Sequence, residues 1–408
     1  MFPQIVKFFS DLGCKVVRQI RAPEEICCRT FPIIEDYEIV CSGPDNIFKC
    51  SECVNFKPYK VNKYAEIFNK SIYSGNIYAH IEYVKMLYEK YVDAVIFASE
   101  SFKDYFIQYI PVPENKINII PIGFEKNVER KIRRTKEKII FGFLGNLAFR
   151  KGVNLLCSLI EKLINDEYEG FEIRILGEGE EKYKKRIKKL AEENPAIVKY
   201  YEGYRYEKLD EITEEIDVGL VLSYWETYSR VLREFLIRGI PVISTNFLGS
   251  EIVKDGVNGF KADIEDIENI YNCMIKLIKN KEIVASLSKG ALETYIPSKV
   301  EEIDSLIEIY NLLLKKKPFY ENKKEKRVPL YLENIKINPL SFNIFKYPFK
   351  PLSFTTFEIS QSQNILNIIF SSHEWKILSK YYRIKDRLLP IGSKRRRFVK
   401  KIFNKIFG

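Results

Sequence analysis

The chain has 408 residues, 46% hydrophobic and 14% aromatic, which is enough to bury one or two substantial cores. Its formal net charge of +11 lies wholly at one end, because from Lys376 onward twelve Lys or Arg face the single Asp386 while Met1 to Trp375 is neutral; this excludes a body built to grip nucleic acid. No run of about 18 apolar residues is long enough for a bilayer, and Met1-Phe2-Pro3-Gln4 lacks the basic and apolar regions of a signal peptide, so the cytoplasm is the expected compartment.

Taken in chain order, the first dense signal is cysteine. Cys14, Cys27, Cys28, Cys41, Cys50 and Cys53 are six of the eight in the chain. Cys41 with the Cys50-x-x-Cys53 pair has the compactness of a structural zinc site in a reducing compartment, with Cys27 or Cys28 as the fourth ligand. Without a clear second pair, simple buried thiols are the plainer alternative, and a catalytic metal is not expected. Asp93 to Ser99 then reads as a strand, Glu100 to Tyr109 as a helix and Asn118 to Gly123 as a strand.

From Lys138 the alternation becomes regular. Lys138 to Leu144 reads as a buried strand, and Val153, Leu155, Leu156, Leu159, Ile160, Leu163 and Ile164 recur at helical spacing. Phe171 to Leu176 is a strand, Glu180 to Glu193 a charged helix closed by Asn194-Pro195, Ile197 to Tyr201 a strand and Lys208 to Glu215 a short helix. Val218 to Leu222 and Pro241 to Thr245 are strands around another helix, after which Ile264 to Lys279, Glu282 to Glu293 and Ser298 to Lys316 are helical. Alternating strands and helices predict an α/β fold with a mainly parallel sheet. From Lys317 to Ser372 the pattern is irregular and rich in Pro, Phe and Asn, as in an extended appendage. In the basic tail, Phe398, Val399, Ile402, Phe403, Ile406 and Phe407 recur at helical spacing among Lys394, Arg395, Arg396, Arg397, Lys400, Lys401 and Lys405. Aromatic and aliphatic groups share one face, as insertion into an anionic membrane surface prefers and base stacking does not need. A partner helix is the structural alternative.

Glu226 and Glu234 bracket a stretch that lies between two strand-like runs. A helix opening near Tyr228 places the first carboxylate at its mouth and the second about 12 Å further along at roughly 1.5 Å per residue. That span suits a nucleotide-sugar, one carboxylate holding hexose hydroxyls and the other ribose hydroxyls, with the diphosphate against the helix N-terminus. A glutamate pair at this spacing also arises by chance on solvated helix faces, so the surroundings decide.

Those surroundings are Phe143-Leu144-Gly145, Arg150-Lys151-Gly152, Ile175-Leu176-Gly177-Glu178-Gly179, Tyr201-Glu202-Gly203, Ser223-Tyr224-Trp225-Glu226, Gly239-Ile240-Pro241-Val242-Ile243 and Asp255-Gly256-Val257-Asn258-Gly259. In order and spacing they resemble the large retaining GT-B glycosyltransferase family called glycosyl transferases group 1, over roughly Lys138 to Lys316. The resemblance extends less fully back to about Glu35, where Glu35-Asp36-Tyr37-Glu38-Ile39-Val40-Cys41 is similar to the family's His-Asp-Tyr-Trp-x-x-Cys run with Glu35 at the histidine position. An upstream strand and Gly-rich loop are not recognisable. The alternatives are a truncated reading of the gene or a divergent acceptor-side domain.

The resemblance implies GT-B architecture: two Rossmann-like domains, with residues 1–130 an incomplete acceptor-side domain and 131–316 the nucleotide-sugar domain with its closing helix. Residues 317–375 form the appendage and 376–408 the basic amphipathic tail. It implies transfer of a sugar from a nucleoside diphosphate to a glycan acceptor with retention of configuration. The basic tail adds the inner face of the cell membrane, a lipid-linked or cell-surface acceptor and no nucleic-acid partner, and the helix N-terminus with Arg150 and Lys151 leaves no cofactor required for catalysis. Glu226 contacts the transferring sugar, Lys151 the diphosphate, and Arg150 stands in for the family's arginine, whose place Asn146 takes. Glu234 holds the ribose. Tyr228, Ser229 and Arg230 open the helix, Gly142 and Gly145 let backbone approach the donor or serve only packing in their strand-turn, Gly249 and Glu251 face the sugar phosphate, and Tyr204 or Arg205 flanks the base or packs as a lid. Ser229 stands where a glycine is common. The competing expectations are a noncatalytic nucleotide-sugar-binding or partner subunit and, lower, a GT-B epimerase.

Overall fold

The computed structural model describes residues 3–27, 32–34, 38–44, 50, 53, 80–125, 128, 130–133 and 137–315. Glu35, Cys28, the appendage and the basic tail lie outside the described residues. The chain divides into two units, Met1–Pro58 with Tyr73–Lys324, and Tyr59–Ile72 with Glu325–Gly408, the second also outside them.

The first unit holds two parallel sheets. In the smaller, β4 (Ala94–Phe97) lies between β1 (Val17–Ile20) and β5 (Ile117–Ile119), all parallel. β4 is buried throughout, with Phe102 and Phe106 of the following helix Glu100–Ile107 packed edge-on to Phe97 at 6.0 and 5.3 Å. Ser99 caps that helix by accepting from the Phe102 amide at 3.3 Å. β1 was not legible as a strand, since it has four residues and two of them, Arg18 and Gln19, are polar. A two-stranded antiparallel ribbon, β2 (Ile33–Ile34) and β3 (Ile39–Val40), precedes β4.

The larger sheet contains β6 (Ile139–Leu144), β7 (Phe171–Leu176), β8 (Val198–Tyr201), β9 (Val218–Val221), β10 (Val242–Thr245) and β11 (Gly259–Ala262) in the order β11-β10-β9-β6-β7-β8, every pair parallel. The expected α/β sheet is therefore present, with β11 added after the Asp255 to Gly259 turn. β6 and β9 read as near-continuous apolar runs because helices cover both faces of the sheet. The first strand is central, β7 and β8 extend to one side, and the chain then crosses back to β9 on the other. The strand order thus reverses between β6 and β9. In open parallel sheets the crevice beyond the carboxyl ends at such a point is where ligands bind.

Packing sets the depth of that crevice. Gly142 of β6 and Gly219 of β9 are register partners. A Cβ on Gly142 would strike the Ile216 side chain, and one on Gly219 would strike the Phe235 ring. Gly142 is thus a packing position, the second of its two expected roles. Gly219 lets the helix Arg230–Ile237, whose Leu232, Phe235 and Leu236 are fully buried, sit low on the sheet. Each such side chain contributes about 1.5–3 kcal/mol by leaving water. Among the described residues no helix is long and apolar enough to cross a membrane.

Candidate functional site

Two loops build the floor of the crevice. After β6 the chain turns through Gly145, whose φ of +136° favours glycine and where an added Cβ would meet open space. It then enters a short 3-10 turn, Phe149–Lys151. Gly152, at φ +74°, ends that turn against the Leu222 carbonyl so closely that any Cβ would collide with it. The Tyr224 amide donates to the Arg150 carbonyl at 2.9 Å, and the Tyr224 ring stacks on Phe149 at 4.4 Å. The loop after β6 is thereby clamped to the loop after β9.

That clamp brings the sequence-predicted charges together. Lys151 and Glu226 form an ion pair through Nζ and Oε1, Arg150 lies 3.5 Å from the same oxygen, and the Ser223 hydroxyl donates to it at 3.2 Å. Among the described residues no hydrogen bond reaches the second oxygen, Oε2. Two cations against one carboxylate leave this corner with a positive charge, suited to an anionic ligand. Trp225 packs edge-on to Phe102 at 6.4 Å and Tyr105 at 5.9 Å, which fixes the backbone just before Glu226.

The helix opens two residues later than expected, at Arg230, with Ser229 as its cap. Glu226 therefore precedes the helix, and Glu234 lies a little over one turn inside it. Ser229 has φ +51°, a region costly for any residue with a side chain and easy for glycine. Glu234 is 6% exposed. Its Oε1 accepts from the Tyr206 hydroxyl at 2.5 Å and its Oε2 from Arg238 Nη1 at 2.5 Å. Arg238 is buried as well, and its Nε donates to Asp210 at 2.7 Å. Burial, then the hydrogen bond to Glu234, pushes the Tyr206 phenol up from its usual range. Arg230 lies 5.7 Å from the rings of both Phe124 and Tyr206.

Other expected donor contacts are engaged elsewhere. The Tyr228 hydroxyl donates to the Ile122 carbonyl at 2.9 Å, and the Arg233 guanidinium sits 3.4 Å from the Tyr228 ring, where burial lowers the Arg233 pKa. The Gly249 amide donates to Ser101 Oγ at 2.8 Å, and Ser101 donates to Glu251 at 3.0 Å, so Gly249 and Glu251 latch the larger sheet to the helix after β4. The physical reason is that the carboxyl ends of the two sheets meet here: Ser99 donates to the Thr227 carbonyl and Thr227 to the Arg21 carbonyl, each at 2.8 Å. Tyr204 is half-buried beside the core, and burial raises its phenol pKa. Ser223, Tyr206 and Arg238 were missed. Arg238, four residues after Glu234, carried a legible helical pairing signal, whereas Tyr206, 28 residues away, carried none.

Among the described residues no group of three or more His, Cys, Asp or Glu side chains stands close enough to hold a metal ion. The Cys41 sulfur accepts from the Gly43 amide at 3.4 Å, and Cys28, named as an alternative fourth ligand, lies outside the described residues.

With this geometry in view, comparison with known proteins is decisive for the larger sheet. Residues 124–294 match the model of the family described as glycosyl transferases group 1. This region belongs to that family. A 41.2 kDa protein of the cps region of Klebsiella pneumoniae is 26% identical over 203 residues, 47% of this chain and 54% of that protein. A lipopolysaccharide core biosynthesis glycosyltransferase, LpsE of Rhizobium meliloti, is 25% identical over 43% of this chain and 49% of its own. The match thus spans about half the length of these curated relatives. Among solved structures, HepE of Anabaena in complex with UDP superposes with a TM-score of 0.50 at 16% identity, covering 62% of this chain and 77% of that one. That likeness speaks to the fold, which is GT-B with Rossmann-like parallel sheets. In the group 1 domain the Glu226 corner borders the point where the strand order reverses, and the Glu234 corner lies in the helix that follows it.

Proposed function

We propose that the chain is a glycosyltransferase that takes a sugar from a nucleoside diphosphate and passes it, with retention of anomeric configuration, to a lipid-linked or cell-surface glycan acceptor. The observation that carries this is the convergence of Lys151, Arg150 and Ser223 on Glu226 beside the crevice between β6 and β9. Departure of a diphosphate builds negative charge on its oxygen while the anomeric carbon becomes oxocarbenium-like. Fixed donors aimed at that charge are the largest catalytic contribution available. Lys151 and Arg150 supply two cations, and the first amides of Arg230–Ile237 add the positive end of a helix. Glu226 then turns to the sugar hydroxyls through Oε2, and Glu234 holds the ribose. The likeness to a lipopolysaccharide core glycosyltransferase and to a HepE structure in complex with UDP favours a uridine nucleotide and an envelope glycan.

The basic tail supports work at an anionic membrane on its cytoplasmic side. Binding to anionic vesicles should fall as salt rises, and should be lost on deleting Lys394 to Gly408, because roughly 1 kcal/mol per basic residue is screened beyond a Debye length. Incubating the protein with UDP-, GDP- and ADP-hexoses and following sugar release by NMR tests the reaction. Release with the configuration preserved is expected. Silence across the panel, or inversion at the anomeric carbon, contradicts the proposal.

A further inference from the structure

Tyr206 belongs to neither loop that builds the crevice floor, yet it sits on the carboxylate assigned to the ribose. The two oxygens of that carboxylate are held in unlike ways. Oε2 takes Arg238, a buried guanidinium that also donates to the Glu234 carbonyl at 3.0 Å and to Asp210. A neutral ligand hydroxyl does not displace such a group, since doing so strands a buried charge. Oε1 takes Tyr206 at 2.5 Å, and Tyr206 is 47% exposed on the short 3-10 turn Tyr206–Lys208. One hydroxyl replacing another on a carboxylate oxygen is nearly neutral in hydrogen-bond energy. The outer oxygen is therefore the exchangeable one, and its present partner already has the chemistry of the incoming one.

We propose that Tyr206 is an internal occupant of the ribose position: its phenol hydroxyl holds the Glu234 oxygen that a ribose hydroxyl takes when the donor binds. Entry of the nucleotide exchanges one hydroxyl for the other. Tyr206 then swings outward and leaves Arg230, at the first position of the helix, stacked on Phe124 alone and nearer the diphosphate. A nucleotide without ribose hydroxyls cannot make the exchange, so the device selects ribonucleotides. This inference rests on the donor-site reading above.

Calorimetry on wild type and Tyr206→Phe, with UDP, GDP and ADP and with the 2′,3′-dideoxy counterpart of each, tests it. The phenylalanine keeps the ring beside Arg230 and removes only the hydroxyl. The expected result is that Tyr206→Phe binds the ribonucleoside diphosphate about tenfold more tightly, a change of about 1.4 kcal/mol, while affinity for the dideoxy form does not improve. A purely structural role for Tyr206 moves both ligands together. Unchanged or weaker ribonucleotide binding by a folded variant, or an equal gain for both forms, overturns the inference. If wild type and variant both bind none of the six, the donor-site reading itself fails and takes this inference with it.

Discussion

Glu226 and Glu234 flank the opening of one helix, but their partners differ in kind. Glu226 faces Lys151 and Arg150, cations whose side chains remain 19% and 17% exposed. Glu234 faces a neutral phenol on one side and, on the other, an arginine buried to 5% and anchored by Asp210. The first arrangement can be rearranged by an incoming anion, because the cations lose little by sharing a carboxylate with a phosphate. The second is a scaffold on its Arg238 side, because a buried pair broken at one end leaves an uncompensated charge. One end of the site is thus suited to chemistry and the other to holding a ligand still.

The contrast is broken most severely at Arg238. Arg238→Ala leaves Glu234 buried without its cation and should cost about 3–5 kcal/mol in urea unfolding. A loss under about 1 kcal/mol would show that water reaches this pair, as it does surface pairs. Glu226→Ala is expected to act on the reaction instead. Sugar transfer should fall about a hundredfold or more, in the range seen when one transition-state contact is removed, while bare nucleoside diphosphate binds as well as before. Parallel losses of binding and transfer would place Glu226 at the nucleotide rather than the sugar. The smallest effect is at the helix cap. Ser229→Gly relieves a side chain held at φ +51° and should raise stability by about 1 kcal/mol, read as a shift in the urea midpoint with unchanged slope.

Much of the larger sheet could be read from the chain because its strands and helices are long and periodic. Phe171–Leu176 and Glu282–Glu293 fall where the pattern places them, and other boundaries shift by a few residues. The site was legible where neighbouring residues create it: Lys151 follows a turn that glycine ends, and Glu226 follows a buried strand. It was not legible where the chain folds back from a distance. Nothing near Tyr206 announces Glu234, and nothing near Glu251 announces Ser101, 150 residues away. β1 escaped for a different reason, since its pairing with β4 supplies what its own four residues do not. The positive φ of Ser229 was signalled only by the glycine common at its place, since a serine at a helix start is ordinarily a favourable cap in extended backbone.

The central claim is that the corner formed by Lys151, Arg150 and Glu226 is the diphosphate end of a donor site. It is tested most directly by titrating UDP, GDP and ADP into wild type and Lys151→Ala in a calorimeter. At least one of the three is expected to bind wild type, and the variant to bind it more weakly by about 1.5–3 kcal/mol, the range of a hydrogen bond to a charged group. Binding that is equal in the two proteins would contradict it.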